Sequence, residues 1–238
     1  MRIVAIAIIA LLVTAVSGFT PTPVVKVLIV GGGSSHDFNK WWKEADSKIL
    51  SESKEPVFSP TYTDRPAEAV KLMGEADVLV LPVNQLGFSA PAIRTAMQMH
   101  TDAGKGIVLL HAGTWYMYKD WPEYNSTYVG GGAHGHDKLG EFEVTVTQPD
   151  HPLMKGVPAR FKVTDELYHM EPDPKGTSIE VLATATSPLT GKTFLSIWVV
   201  KHPKARIAAI SLGHDGRVHD LDAYKALLGN ATQWVAGR

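Results

Sequence analysis

Three short apolar runs constrain this chain more than any other feature. Val24-Val25-Lys26-Val27-Leu28-Ile29-Val30 is nearly continuous and β-branched, and Asp77 to Leu81 and Ile107-Val108-Leu109-Leu110 repeat the character. Such runs read as strands buried on both faces, the kind found in parallel sheets covered by helices. Between them the apolar spacing turns helical. Phe38, Trp41, Trp42, Ala45 and Ile49 share a stripe, and a serine of the Ser34-Ser35 pair is placed to cap its start. Pro66 to Met73 reads as a second helix ending at Gly74, and Ser89 is expected to cap a third that carries Ile93, Ala96 and Met97 and closes at Gly104. Strands alternating with helices require right-handed crossovers, so the fold class is α/β with a doubly wound, mostly parallel sheet.

The pattern then changes. Tyr116 to Lys138 is rich in aromatic residues and glycine without a clear period, and is expected to be irregular. Glu141 to Thr147 alternates strictly, with Phe142, Val144 and Val146 on one face, which predicts an antiparallel extension. Ser178 to Ala185, Thr193 to Val200 and Arg206 to Leu212 are further strands, and Asp220 or Asp222 is placed to cap a last helix through Val235. With no repeat and no linker, one domain is expected from residue 24 to 238. Ahead of it, Arg2, an apolar run from Ile3 to Val16 and the small residues Ser17 and Gly18 read as a signal peptide over 1–18. The run is short for a spanning helix, which needs about 20 residues; an uncleaved anchor is the competing reading. The expected location is therefore secreted or periplasmic, with no membrane contact after cleavage.

Composition narrows the chemistry. The chain has no cysteine, which removes disulfides, thiolate metal sites and cysteine nucleophiles. A formal charge of -1 offers nothing for a nucleic acid to bind. Ligands of open parallel sheets bind beyond the carboxyl ends of the strands. Histidines stand at three such ends: His36 after the first strand and its glycine turn, His111 closing Ile107–Leu110, and His214 in Gly213-His214-Asp215. A single histidine there is more often a hydrogen-bonded structural residue; three at matching positions argue for a site. Gly31-Gly32-Gly33 reads as a tight turn rather than a phosphate loop, since it lacks the spacing of either nucleotide motif. The segment Gly130 to Asp137 contains His134 and His136, which could ligate zinc or copper or sit on a solvated loop. Glu166, in Asp165-Glu166-Leu167-Tyr168-His169, is either an acid–base group or part of a surface turn.

Taken in order, these residues resemble the ThuA-like, or trehalose-utilisation, family. The resemblance rests on Val30 to Asp37, Leu110-His111-Ala112-Gly113, Trp121-Pro122-Glu123-Tyr124, the glycine-led His136, Asp150-His151-Pro152-Leu153, Asp165 to Tyr168, and Ser211 to Asp215. Two departures stand out: Trp198 to Arg206 lacks the Gly-Lys-Gly-Arg turn common in the family, and His134 is additional. The resemblance implies a flavodoxin-like sheet of the class I glutamine amidotransferase type. His111 would occupy the elbow where those enzymes hold a cysteine, and His214 the later histidine. Thiol-dependent glutamine hydrolysis is excluded. The family association implies a small carbohydrate partner, a disaccharide or its 3-keto derivative. On this reading His111 is the base, Glu166 its partner acid, and His214 a third catalytic group. His36, Asp37, His136, Tyr168 and Asp215 shape the substrate pocket. A metal-assisted variant would place zinc or manganese on His36, His111 and His214. The competing class is a sugar-binding or interaction module without turnover.

Overall fold

Residues 24–237 are described by a computed structural model; the expected signal segment lies outside them. In chain order the elements are β1 (Val24–Val30), a π-helical segment (Asn39–Asp46) running into α1 (Ser47–Ser51), β2 (Val57–Thr63), α2 (Pro66–Glu75), β3 (Val78–Leu81), α3 (Pro91–Asp102) and β4 (Gly106–Leu110). There follow β5 (Gly131–His136), β6 (Gly140–Val146), β7 (Arg160–Asp165), β8 (Tyr168–Pro172), β9 (Ile179–Thr186), β10 (Thr193–Val200), β11 (Ile207–Ile210), α4 (Gly216–His219) and α5 (Asp222–Val235). Nine strands form one sheet in the order β2-β1-β3-β4-β11-β10-β9-β6-β7, and β5 pairs with β8 separately. The first five run parallel, and the remaining four join antiparallel.

Period-two alternation divides the buried strands between two cores. Val27, Ile29, Val78, Val80, Val108 and Leu110 pack with Trp42, Leu50 and Leu227 on one face. Leu28, Val30, Leu79, Leu81, Ile107 and Leu109 pack with Ala69, Met73, Ile93 and Met97 on the other. Helices therefore cover both faces, as the near-continuous apolar runs require. Among the described residues no helix is long and apolar enough to cross a membrane.

Several local expectations are corrected. The serines at the first helix start do not cap it; Asp37 accepts the Lys40 backbone N–H at 3.0 Å instead. Helix α3 begins after Ala90 with no side-chain cap, because Ser89 donates its hydroxyl to Leu86 O at 3.0 Å. Leu221, not an aspartate, precedes α5. Tyr116 to Lys138 is less irregular than its composition suggests, since it holds a π-helical turn (Tyr124–Val129) and β5. Strand β2 escapes a periodicity reading because Ser59, Pro60 and Thr61 interrupt it. It lies at the sheet edge, where a proline leaves no ladder bond missing.

One close approach fixes α5 against β4. A Cβ on Gly106 would lie 2.3 Å from Val235 O and 2.5 Å from Val235 Cβ. Gly106→Ala should therefore push α5 off the strand and lower stability by about 1–3 kcal/mol, as overpacking does. The urea midpoint of the variant measures it.

Candidate functional site

The parallel half of the sheet delivers side chains in strand order. His36 follows β1, Asn84 follows β3, His111 follows β4 and His214 follows β11, and these four strands are neighbours. The imidazoles converge. His36 Nε2 lies 3.0 Å from His111 Nε2 and 3.1 Å from His214 Nδ1. Glu166 joins from the turn between β7 and β8, with Oε2 3.1 Å from His214 Nδ1 and 3.7 Å from His111 Nε2. Its Oε1 lies 3.7 Å from His136 Nδ1. One donor atom from each of His36, His111, Glu166 and His214 falls within 4.8 Å of every other.

Glu166 is brought there by its neighbour. Asp165 is fully buried and accepts three backbone N–H groups, from Gly213 at 2.8 Å, His214 at 3.1 Å and Glu166 itself at 2.8 Å. Its carboxylate pins the end of β7 to the loop after β11. In hydrogen-bonding order β7 stands four strands away from β11. Four steps of about 4.8 Å would separate flat strands by roughly 19 Å, so the antiparallel extension has to coil back over the strand ends.

A cavity of about 250 Å³ opens onto the cluster, lined by Ser35, His36, Asn84, Trp115, His136, Glu166, Tyr168 and His214. His111 is fully buried below it. The His111 backbone sits at φ 37, the one non-glycine left-handed residue among those described. That turn aims the ring sideways, where Nδ1 donates to Ser211 O at 2.8 Å. The Tyr168 ring covers it at 4.4 Å, and Trp115 packs edge-on to Tyr168 at 5.2 Å.

The electrostatics follow from burial and proximity. Burial, reinforced by His111 and His214, lowers the pKa of His36 to about 3, so its ring is neutral. For Glu166, burial pushes upward, but the facing His111 and His214 imidazoles outweigh it and hold the carboxylate well below its usual range. The hydrogen bond to Glu166 raises His214 despite burial.

Of the residues singled out from sequence, His36, Glu166, His214, His136 and Tyr168 line this cavity, and His111 is fully buried behind them, in contact with His36. Asp37 caps the first helix and lines an adjoining cavity of about 300 Å³ with His36 and Asp64. Asp215 is outside the lining of both: it caps α4 by accepting Arg217 N–H at 2.9 Å and pairs with the Arg217 guanidinium. His134 lies apart from the donor cluster, stacked on Tyr116 with ring centroids 4.1 Å apart. Sequence reasoning missed Ser35 and Asn84, which tie together through Asn84 Nδ2 donating to Ser35 Oγ at 2.6 Å. Trp115 is also a cavity wall.

A second buried network steadies the loop that carries His214. His219 Nε2 donates to Gly213 O at 3.1 Å, and its Nδ1 meets Asp46 Oδ1 at 2.6 Å. Tyr224 donates to Asp46 Oδ2 at 3.1 Å, and the Trp41 ring stacks on His219 at 5.8 Å. Asp46 comes from the π-helical segment that follows His36, so this pair links two of the imidazole-bearing loops.

The chain matches the family described as "ThuA: Trehalose utilisation" over residues 26–235. It belongs to the ThuA family. Two solved structures described as ThuA-like share its fold. That from Parabacteroides merdae has 20% identity, a TM-score of 0.73 and coverage of 90% of each chain. That from Bacteroides uniformis has 20% identity and a TM-score of 0.73, covering 93% of this chain and 94% of its own. A cytoplasmic protein of Salmonella typhimurium aligns over 89% of this chain and 99% of its own at 11% identity and a TM-score of 0.64. No curated protein matches the sequence. The doubly wound architecture expected of a ThuA-like chain is thus found, and so is the carbohydrate-related family.

The Asp46–His219 pair gives a stability test. Burial lowers the His219 pKa, but the Asp46 carboxylate outweighs it, so the folded value lies above the ordinary 6.5. The folded state then holds a proton that the unfolded chain loses above about 6.5, a typical histidine value. This contribution is complete below the unfolded value and disappears as pH rises through the folded one. The urea-derived stability of the parent should decline from pH 6.5 upward relative to His219→Gln, by at most about 1.4 kcal/mol per pH unit.

Proposed function

We propose that this ThuA-family protein is a carbohydrate-processing enzyme that removes a proton from the carbon beside a keto group of a 3-keto disaccharide. The observation that carries this is a cluster of one carboxylate and three imidazoles beside a 250 Å³ cavity, with Glu166, His36 and His214 in its lining and Trp115, Tyr168 and His136 among the other wall residues. Trp115 offers a flat apolar surface to a pyranose face, as aromatic rings do for amphipathic partners. Ser35 and Asn84 supply hydroxyl and amide groups for sugar oxygens. The family's association with trehalose utilisation supports the substrate class. Two β-galactosidases, from Rahnella and Bacillus circulans, carry a similarly folded part at 10–12% identity, in each covering 31% of their chains. A carbohydrate deacetylase does so over 33% of its chain.

Hydrogen bonding distributes the roles. A carbonyl oxygen only accepts, so His111, facing Ser211 O through Nδ1, presents a bare Nε2 to the cluster when neutral. It does not line the cavity, and the base role expected of it passes to a residue that does. His136 is that residue. Its Nδ1 donates to Asp137 O at 2.8 Å, so Nε2 is the ring nitrogen left to accept a proton on the cavity wall. Proton abstraction by His136 breaks the C–H bond, and its electron pair moves toward the keto oxygen. The developing negative oxygen is directed toward the His36 and His214 rings, the N–H-bearing members of the corner that line the cavity. Export through residues 1–18 belongs to the same reading, since Arg2 and the apolar run give the segment the form of a leader.

Two experiments test it. Incubating the protein with a 3-keto disaccharide in heavy water should exchange the hydrogen beside the keto group and give products; tight binding of unaltered, unexchanged sugar would replace the enzyme with a binding module. His136→Gln should lower kcat by about 10²–10⁴ with little change in KM, the usual worth of an acid–base group. Trp115→Ala should instead raise KM. Separately, amino-terminal sequencing of protein from the periplasm or medium should start beyond residue 18; retention of Met1 on cell-associated protein would overturn export.

A further inference from the structure

The four-residue corner holds more than hydrogen bonds explain. Nitrogen and oxygen atoms follow one another around it at 3.0 Å (His111 Nε2 to His36 Nε2), 3.1 Å (His36 Nε2 to His214 Nδ1), 3.1 Å (His214 Nδ1 to Glu166 Oε2) and 3.7 Å (Glu166 Oε2 to His111 Nε2). Protons account for only part of this ring. His111 has spent its N–H on Ser211 O, so its Nε2 accepts, and His36 Nε2–H is the donor that faces it. Glu166 accepts only, so His214 Nδ1–H is the donor that faces it. The 3.1 Å contact between His36 and His214 is then left with two N–H groups and no acceptor. The contact between His111 and Glu166 is left with two lone pairs and no hydrogen. Both arrangements are repulsive in a site this buried.

We propose that His36 Nε2, His111 Nε2, His214 Nδ1 and Glu166 Oε2 are the ligands of one divalent transition-metal ion. This rests on the functional reading above and names the electrophile that reading requires. A single cation turns all four contacts favourable, because every donor then directs a lone pair inward. Nitrogen and carboxylate donors about 2.0–2.2 Å from a shared ion sit roughly 3–3.5 Å from one another, and the ring spacings are of that size. Three imidazoles and one carboxylate suit zinc, manganese, iron or cobalt, whereas calcium and magnesium favour all-oxygen sets.

The surroundings are those of a metal centre. His111 Nδ1 is held by a backbone carbonyl, and His36 Nδ1 by the Ser35 hydroxyl at 2.6 Å, which itself is held by Asn84. Such outer contacts fix the tautomer and the ring angle of ligating histidines. Phe38 and Trp42 stand edge-on to His36 at 5.9 and 5.6 Å, giving the site an apolar wall. The cavity beside His36, His214 and Glu166 leaves a coordination position open, and a keto or hydroxyl oxygen of the sugar fits that position as ligand.

The test uses the full chain after dialysis against a chelator, titrated with zinc, manganese or cobalt chloride. Metal analysis after desalting should give one ion per chain, cobalt should produce ligand-field bands in the visible, and Tm should rise with added metal. His36→Ala, His214→Ala and Glu166→Gln should each weaken binding at least tenfold. Ser35→Ala should weaken it by about 10-fold through the outer contact. His134→Ala, outside the ring, should bind as the parent does. Circular dichroism of each variant confirms folding, and Glu166→Gln and Ser35→Ala keep the test decisive if an alanine variant fails to fold. A parent that takes up none of the three ions at stoichiometry overturns the proposal, and so does binding that survives unchanged in Glu166→Gln and Ser35→Ala. None of these measurements uses a sugar. Metal binding without turnover therefore retires the carbohydrate reading alone, and failure to take up metal in a protein that turns over the sugar retires this one alone.

Discussion

A single buried carboxylate makes the site. Asp165 gives up hydration to accept three backbone N–H groups from two distant parts of the chain. Burial pushes its pKa upward, and the nearby His111 ring and those N–H groups oppose the shift. An unpaired carboxylate in that position would be prohibitive, whereas a triply bonded one ties two loops together more firmly than apolar contact does. Without it the parallel half would present three imidazoles and nothing anionic to balance them. The candidate site is thus shared between a doubly wound sheet and its antiparallel extension.

The division of labour between the halves is chemical as well as spatial. Strand ends β1, β4 and β11 supply imidazole rings that are close enough to repel if all were protonated. The extension supplies the counter-charge through Glu166 and the outer cavity wall through His136 and Tyr168. Aromatic rings from the segment after β4 close the remaining side. Rigid strands set the inner ring, and a turn between β7 and β8 sets the residue that completes it. Site precision therefore depends on one loop being clamped, which is what Asp165 and the Asp46–His219 pair do from two directions.

Much of this was legible in the chain. Runs such as Val27–Val30 and Ile107–Leu110 announce strands buried on both faces, and the carboxyl-end rule then gathers His36, His111 and His214 without any coordinates. Glu166 was nameable, and the family resemblance paired it with His111, but no periodicity showed how it reaches the imidazoles, because coiling of the extension depends on contacts far apart in sequence. Strand β2 was hidden by its own polarity, since an edge strand needs no continuous apolar run. Asp46 and His219 were hidden differently. A π-helical segment has more residues per turn than the ordinary 3.6-residue period, so the stripe drawn through Phe38, Trp42 and Ala45 says nothing about Asp46 turning inward. Asp37 and Asp215 looked like site residues for a sound reason, as polar groups flanking histidines at strand ends. Helix capping claimed both.

The backbone at His111 carries a consequence of its own. A left-handed conformation costs a residue with a Cβ on the order of 1 kcal/mol or more, and glycine almost nothing. At φ 37 the chain tolerates that cost in order to hold a ring where glycine would rest more easily. Selection for heat resistance alone would then favour glycine at this position and strip the cluster of one imidazole, so backbone ease and side-chain placement pull in opposite directions at this one peptide unit.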